Sequence, residues 1–173
     1  SEVAEAPAGS VAPNPQNISH NGLLAIQHFE GCVLHPYDDG GRPGVGNATI
    51  GVGHLIHMGP TTEADRTHYA SFTFTDAIAL LQQDVQSAVK AIKSRGAHWH
   101  LTQPQFDALC STVFNCGAGV LSGSIGTALD NNNHAAVPGL MAQWCHAGGQ
   151  VVQGLLNRRR AEGEIFAHGT YPS

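Results

Sequence analysis

The stretch HFEGCVLHPYDDGGRPGVGNATIGVGH, His28 to His54, concentrates residues able to do acid–base chemistry. Glu30 stands just before a glycine at the end of an apolar segment. Leu23, Ile26 and Glu30 recur at helical spacing, so the acid continues the apolar stripe. Burial disfavours a carboxylate, and so does the negative end of a helix dipole in a last turn; both favour an acid that keeps its proton. Asp38 and Asp39 follow in a glycine-rich turn, where aspartates are expected to be solvated and ionised. One protonated and one ionised carboxyl facing a cleft is the apparatus of glycosidic bond hydrolysis. Taken singly, the same residues read as a glutamate reaching water at a helix end and two turn-forming aspartates. The pair, nine residues apart, carries the information.

Composition bounds what such a site could serve. The chain has 173 residues, of which 42% are hydrophobic and 12% charged, with a net charge of −5. That suits one domain with a sizeable core and argues against nucleic acid as a partner, since no basic footprint is present. No apolar run has the length of a membrane span, and no secretory signal is visible. Residues 1–18, rich in Ala and Pro, read as a flexible tail or linker, and residues 19–173 as the folded domain. Cys32, Cys110, Cys116 and Cys145 fit no zinc spacing, leaving buried small side chains or disulfides as readings. His54, His57, His98 and His100 show no metal-ligand pattern either, so no metal or cofactor is implied.

Elements able to position the acids can be read from periodicity. A first helix is expected over about 22–30, capped by Ser19 or Asn21 and closed by Gly31. Short strands and glycine turns fill about 33–75, with ATIGVGHLI as a strand of a small antiparallel sheet. One long helix is expected over 76–95, from the stripe Ile78, Leu81, Val85, Ala88 and Ile92. Thr102 and Gln105 form a capping box ahead of a helix over 103–115. Shorter helices follow at 125–131 and 134–144, and a last one at about 151–167. Trp144 reads as core. Segregated strands and helices make the class α+β.

HFEG, YDD, TIGVGH, ALLQQDVQSAV, QFDAL, FNCGAG and QGLLNRRRAE occur in the order in which they occur in phage-type lysozymes. The chain therefore resembles glycoside hydrolase family 24 over about 20–168. The resemblance implies a small β lobe (about 33–75) and a larger helical lobe (about 96–173, with helix 22–30). Helix 76–95 would join them, with a saccharide cleft between. It implies hydrolysis of the β-1,4 bond between N-acetylmuramic acid and N-acetylglucosamine in bacterial peptidoglycan. Glu30 would be the general acid, and Asp39 with Thr49 would handle the attacking water, with inversion of the anomer. Asp38, beside Asp39, is the alternative second acid. Inversion implies carboxyls about 6.5–9.5 Å apart. His54, Gln105, Asn115 and Gly117 would lie on the cleft side as substrate contacts. Asp84 would support His54, and Arg158 would lie beside Glu30. A monomer acting in the periplasm or cell wall is expected. A lytic transglycosylase and a non-catalytic wall-binding module are the competing readings; Asp39 and Thr49 argue against the first, and the intact trio against the second.

Overall fold

A computed structural model describes residues 13–173 of the chain. Helix α1 (His20–Glu30) opens where the Ser19 hydroxyl accepts the Gly22 N–H at 3.1 Å. It closes where Gly31 turns the chain at φ +79°, its N–H bonded to Gln27 O at 2.8 Å. A non-glycine residue would be strained in that conformation. The turn stops α1 immediately after Glu30 and sends the chain into the sheet.

The sheet comprises β1 (Val33–Asp38), β2 (Ala48–Gly51) and β3 (His54–His57), antiparallel in that order. Pro36, which has no N–H to give a ladder, lies on edge strand β1 within an irregularity of register between Val33 and Tyr37. Beyond it Tyr37 stands opposite Thr49, and Asp38 opposite Ala48. ATIGVGHLI, expected as one strand, is two: a tight turn between Gly51 and His54 folds β3 back so that Ile50 faces His54. Gly51 and Gly53, both at φ +67°, supply the turn.

Helix α2 (Glu63–His68) escaped the periodicity reading because six residues show no apolar stripe. Its start is nonetheless written in the sequence as a capping box between Thr62 and Asp65. The helix expected over 76–95 is two, α3 (Phe74–Asp84) and α4 (Gln86–Arg95), interrupted at the fully buried Val85. The β-branched Val85 shares its N–H between the Leu81 and Gln83 carbonyls, while Val89 still bonds to Val85 O at 3.1 Å. Helical hydrogen bonds therefore run on both sides of the break. Helix α3 packs on α1, β2 and β3; α4 packs on α5 (Gln103–Cys116).

The remaining helices are α6 (Ser124–Asp130), α7 (Val137–Ala142) and α8 (Gln153–His168). Residues 134–136 form a 3-10 turn rather than the start of α7. Residues 146–151, expected as loop and helix start, form a two-stranded hairpin, β4 (His146–Ala147) and β5 (Gln150–Val151), around Gly148 and Gly149. Helix α8 lies along α5 and α7. The core runs through Ile26, Leu81, Ile92, Trp99, Phe106, Leu109, Ile125, Met141 and Ile165. Trp144, expected there, is 40% exposed at the foot of the hairpin.

Residues 1–12 of the expected tail lie outside the described residues. Residues 13–18, expected in it, are instead packed: Asn14 bonds to Trp99 O and to Leu101 N–H, Gln103 bonds to Asn17 O, and Ile18 is buried. Beyond them Ser19, Gln103 and Tyr171 all donate to the buried Asp107 carboxylate. No helix among the described residues is long and apolar enough to cross a membrane. All four cysteines are free thiols; Cys110 and Cys145 are buried, and burial pushes the Cys110 thiol far up.

Asp130 closes α6 onto α4. It accepts both Arg95 Nη atoms at 2.9 and 2.6 Å, the Trp99 indole N–H at 2.8 Å and His98 Nε2 at 2.9 Å. Arg95 and then the Trp99 N–H hold this carboxyl well below the usual range. Its contribution to stability is therefore complete above the ordinary carboxylate value, about pH 4, and fades as pH falls toward the lower folded value. Asp130→Asn should lower Tm at neutral pH, with the gap to the parent narrowing below about pH 4. A gap constant into strong acid in thermal melts would count against this ion pair as the cause.

Candidate active site

Glu30 projects from the last residue of α1. The buried residues of that helix are Gly22, Leu23, Ala25 and Ile26, and the Glu30 side chain is 29% exposed. The expectation that it continues the buried stripe is corrected: the helix ends as it leaves the core, so its last residue is part-exposed. There Arg158 of α8, itself 9% exposed, donates from Nη1 to Glu30 Oε1. Among the described residues no hydrogen bond engages Glu30 Oε2. The Phe29 ring lies 5.1 Å from the same guanidinium and covers its face.

The two aspartates part company at the end of β1. Asp38 is fully used by the backbone: Oδ1 accepts Thr61 N–H at 2.6 Å and Oδ2 accepts Gly44 N–H at 2.7 Å. These bonds, Thr61 first, hold its carboxyl below the usual range. Asp39 accepts one bond, Asn47 N–H on Oδ1 at 2.7 Å, while its own N–H donates to Asn47 O at 3.1 Å. Its Oδ2 has no partner among the described residues. The Thr49 hydroxyl donates to the same Asn47 carbonyl at 2.9 Å, and Thr49 is 4% exposed. One residue's backbone thus holds both Asp39 and Thr49, and the Asn47 side chain is fixed in turn by Gly59 N–H at 2.9 Å.

Tyr37 ties the two halves together. Burial raises its phenol, and the Asp39 and then the Glu30 carboxylates raise it further. Both acids therefore act on one ring, whose strand position opposite Thr49 puts Tyr37 and Thr49 on one face of the sheet. An open groove of ≈ 540 Å³ runs past Tyr37, Asp39, Arg42 and Thr61.

The other expected residues divide. His54 Nδ1 and Asp84 Oδ2 pair at 2.8 Å, joining β3 to α3. Asn115, exposed at the end of α5, accepts from Arg159 Nη2 at 2.8 Å. Gly117 is the exposed residue that ends α5. Gln105 Oε1 accepts Thr102 N–H at 2.9 Å in the expected capping box, at the opposite end of α5 from Asn115. Asn47 and Glu162 are functional candidates that the sequence reading missed. For Glu162 the available signal is an acid four residues after Arg158 on the helix row shared with Ile165.

A family model for phage lysozyme matches residues 27–162. The chain belongs to the phage lysozyme family. It is 35% identical over 153 residues to the endolysin of Salmonella phage P22, covering 86% of this chain and 97% of that protein. It is 34% identical over 154 residues to the endolysin of Bacillus phage PZA, covering 88% of this chain. It spans only 56% of that relative and 59% of the Lactococcus phage c2 endolysin, so these relatives are much longer proteins. Among solved structures, an endolysin from Escherichia coli O157:H7 phage FAHEc1 superposes with a TM-score of 0.76 at 29% identity, over 94% of this chain and 100% of that one. The muramidase domain of SpmX from Asticaccaulis excentricus gives 0.70 at 28%, over 88% and 99%. The α+β, lysozyme-like class expected of the motifs is the class observed.

In this phage lysozyme domain the loop after Asp39 depends on Gly46. At φ +94°, a Cβ on Gly46 would lie 2.2 Å from Asp39 Oδ1 and 2.4 Å from Gly40 N. Gly46→Ala should therefore destabilise the domain by about 1–3 kcal/mol and push the Asp39 carboxylate off Asn47. Urea unfolding and the Asn47 amide shift in NMR would read both; an unmoved Asn47 amide would refute the displacement.

Proposed function

We propose that this chain is a muramidase that hydrolyses the β-1,4 bond between N-acetylmuramic acid and N-acetylglucosamine in peptidoglycan. Glu30 protonates the leaving oxygen. Asp39 takes a proton from a water on the opposite face of the sugar, the water oxygen bonds to C1, and the anomer inverts. Thr49, its own proton committed to Asn47, can only accept from that water and so orients it. The polymer lies between a sheet lobe and a helical lobe, and the chain acts as a monomer in the cell wall or periplasm, with no cofactor.

The observation that carries this reading is the matched pair of half-anchored carboxylates. Glu30 and Asp39 each have one oxygen pinned, by Arg158 and Asn47, and the other without a hydrogen bond among the described residues, and both raise the Tyr37 phenol. The names of similar proteins support it: endolysin for the P22 relative, and muramidase for the SpmX domain. Asp38, with both oxygens bonded to backbone, is a poor second acid.

Digestion of purified sacculi followed by mass spectrometry tests the proposal. Reducing N-acetylmuramic ends are expected. 1,6-Anhydromuramic ends would reveal a transglycosylase, and intact sacculi with bound protein would reveal a wall-binding module.

A further inference from the structure

Beneath Glu30 lies a buried network larger than one ion pair requires. Glu162, fully buried on α8, accepts Thr112 Oγ1 at 3.0 Å, the Ser111 hydroxyl, Arg158 Nε at 3.3 Å and Arg159 Nη2 at 3.2 Å. Arg159 Nε also lies 2.6 Å from Glu162 Oε1. Arg159, equally buried, reaches on to Asn115 and the Cys116 sulfur at the end of α5. Two cations and two carboxylates thus balance.

Arg158 is divided within this network. An arginine beside a lone carboxylate favours a two-point fork, the stronger arrangement. Here Nε is turned to Glu162 and Nη2 toward Ser111 Oγ at 3.5 Å, so only Nη1 meets Glu30. We propose that Glu162 is a positioning residue for the Glu30 acid: it draws Arg158 to a single-point contact and so keeps Glu30 Oε2 open for the catalytic proton. The role rests on the muramidase reading for its consequence, and on geometry alone for its existence. Glu30 is faced by Arg158 from α8 and Tyr37 from β1. Glu162 is faced by Arg158 and Arg159 of its own helix and by Ser111, Thr112 and Cys116 of α5.

Glu162→Gln keeps the shape but removes the negative charge. Arg158 is then released toward Glu30, and both changes favour the Glu30 carboxylate. Side-chain 13C NMR of the folded variant should show the Glu30 protonation midpoint about half a pH unit below the parent's. The alkaline limb of sacculus hydrolysis should move with it, lowering kcat above that limb about threefold while KM stays within about twofold. Ser111→Ala, a milder change that frees Arg158 Nη2, should shift the midpoint the same way and serves if Glu162→Gln does not fold. An unmoved midpoint in the folded variants overturns the positioning role and leaves only charge balance for Glu162. A parent chain inert on sacculi would overturn the muramidase reading instead, while the NMR midpoint still decides the role of Glu162.

Discussion

Glu30→Gln is expected to cut sacculus turnover by about 10²–10⁴-fold while leaving the fold and wall binding intact, because general acid catalysis supplies an effect of that size. The amide keeps a carbonyl oxygen for Arg158 Nη1 but has no acidic proton to give a leaving oxygen. Arg158 is not orphaned by the change, since Glu162 still accepts from its Nε. The loss should therefore fall on kcat, with KM and the melting temperature close to the parent's. Turbidimetric lysis, binding to sacculi and thermal melts separate these quantities. Lysis at the parental rate would remove Glu30 from the mechanism.

Asp39→Asn is the second large effect, and its contrast with Asp38→Asn is the sharper test. The amide introduced by Asp39→Asn would keep an oxygen for Asn47 N–H, so the hairpin should hold while the anionic oxygen that faces water is lost. Turnover should drop by about 10²–10⁴-fold at nearly unchanged stability. Asp38→Asn offers one acceptor oxygen where the loop uses two, for Thr61 and Gly44. It should loosen the tether between β1 and α2 and lower stability, with a smaller loss of rate. The reverse pattern, with Asp38→Asn dead and Asp39→Asn active, would transfer the role to Asp38.

What the sequence disclosed tracks the range of the interactions involved. Helices α5 and α6 were legible because capping and stripe are local: Thr102 meets Gln105 three residues on, and the apolar positions repeat within one helix. The His54–Asp84 and Arg158–Glu30 contacts, 30 and 128 residues apart, were reachable only through resemblance. The break at Val85 falls within an uninterrupted apolar stripe, so periodicity gives no sign of it. The hairpin at 146–151 did carry a local sign, two glycines between short β-prone pieces, but its exposed faces gave no alternation to read. Gln105 is the local case, its capping partner Thr102 standing three residues away.

The clasp between Asp39 and Asn47 bears on how this domain can be altered. Because the two residues exchange hydrogen bonds across the base of the glycine loop, the chain between them is a ring closed at its base. Doubling the length of such a ring costs about 0.6 kcal/mol of closure entropy. The span between Gly41 and Arg42 borders the groove beside Asp39, so a peptide grafted there would be presented at the edge of that groove while the Asn47 clasp still holds the loop's base.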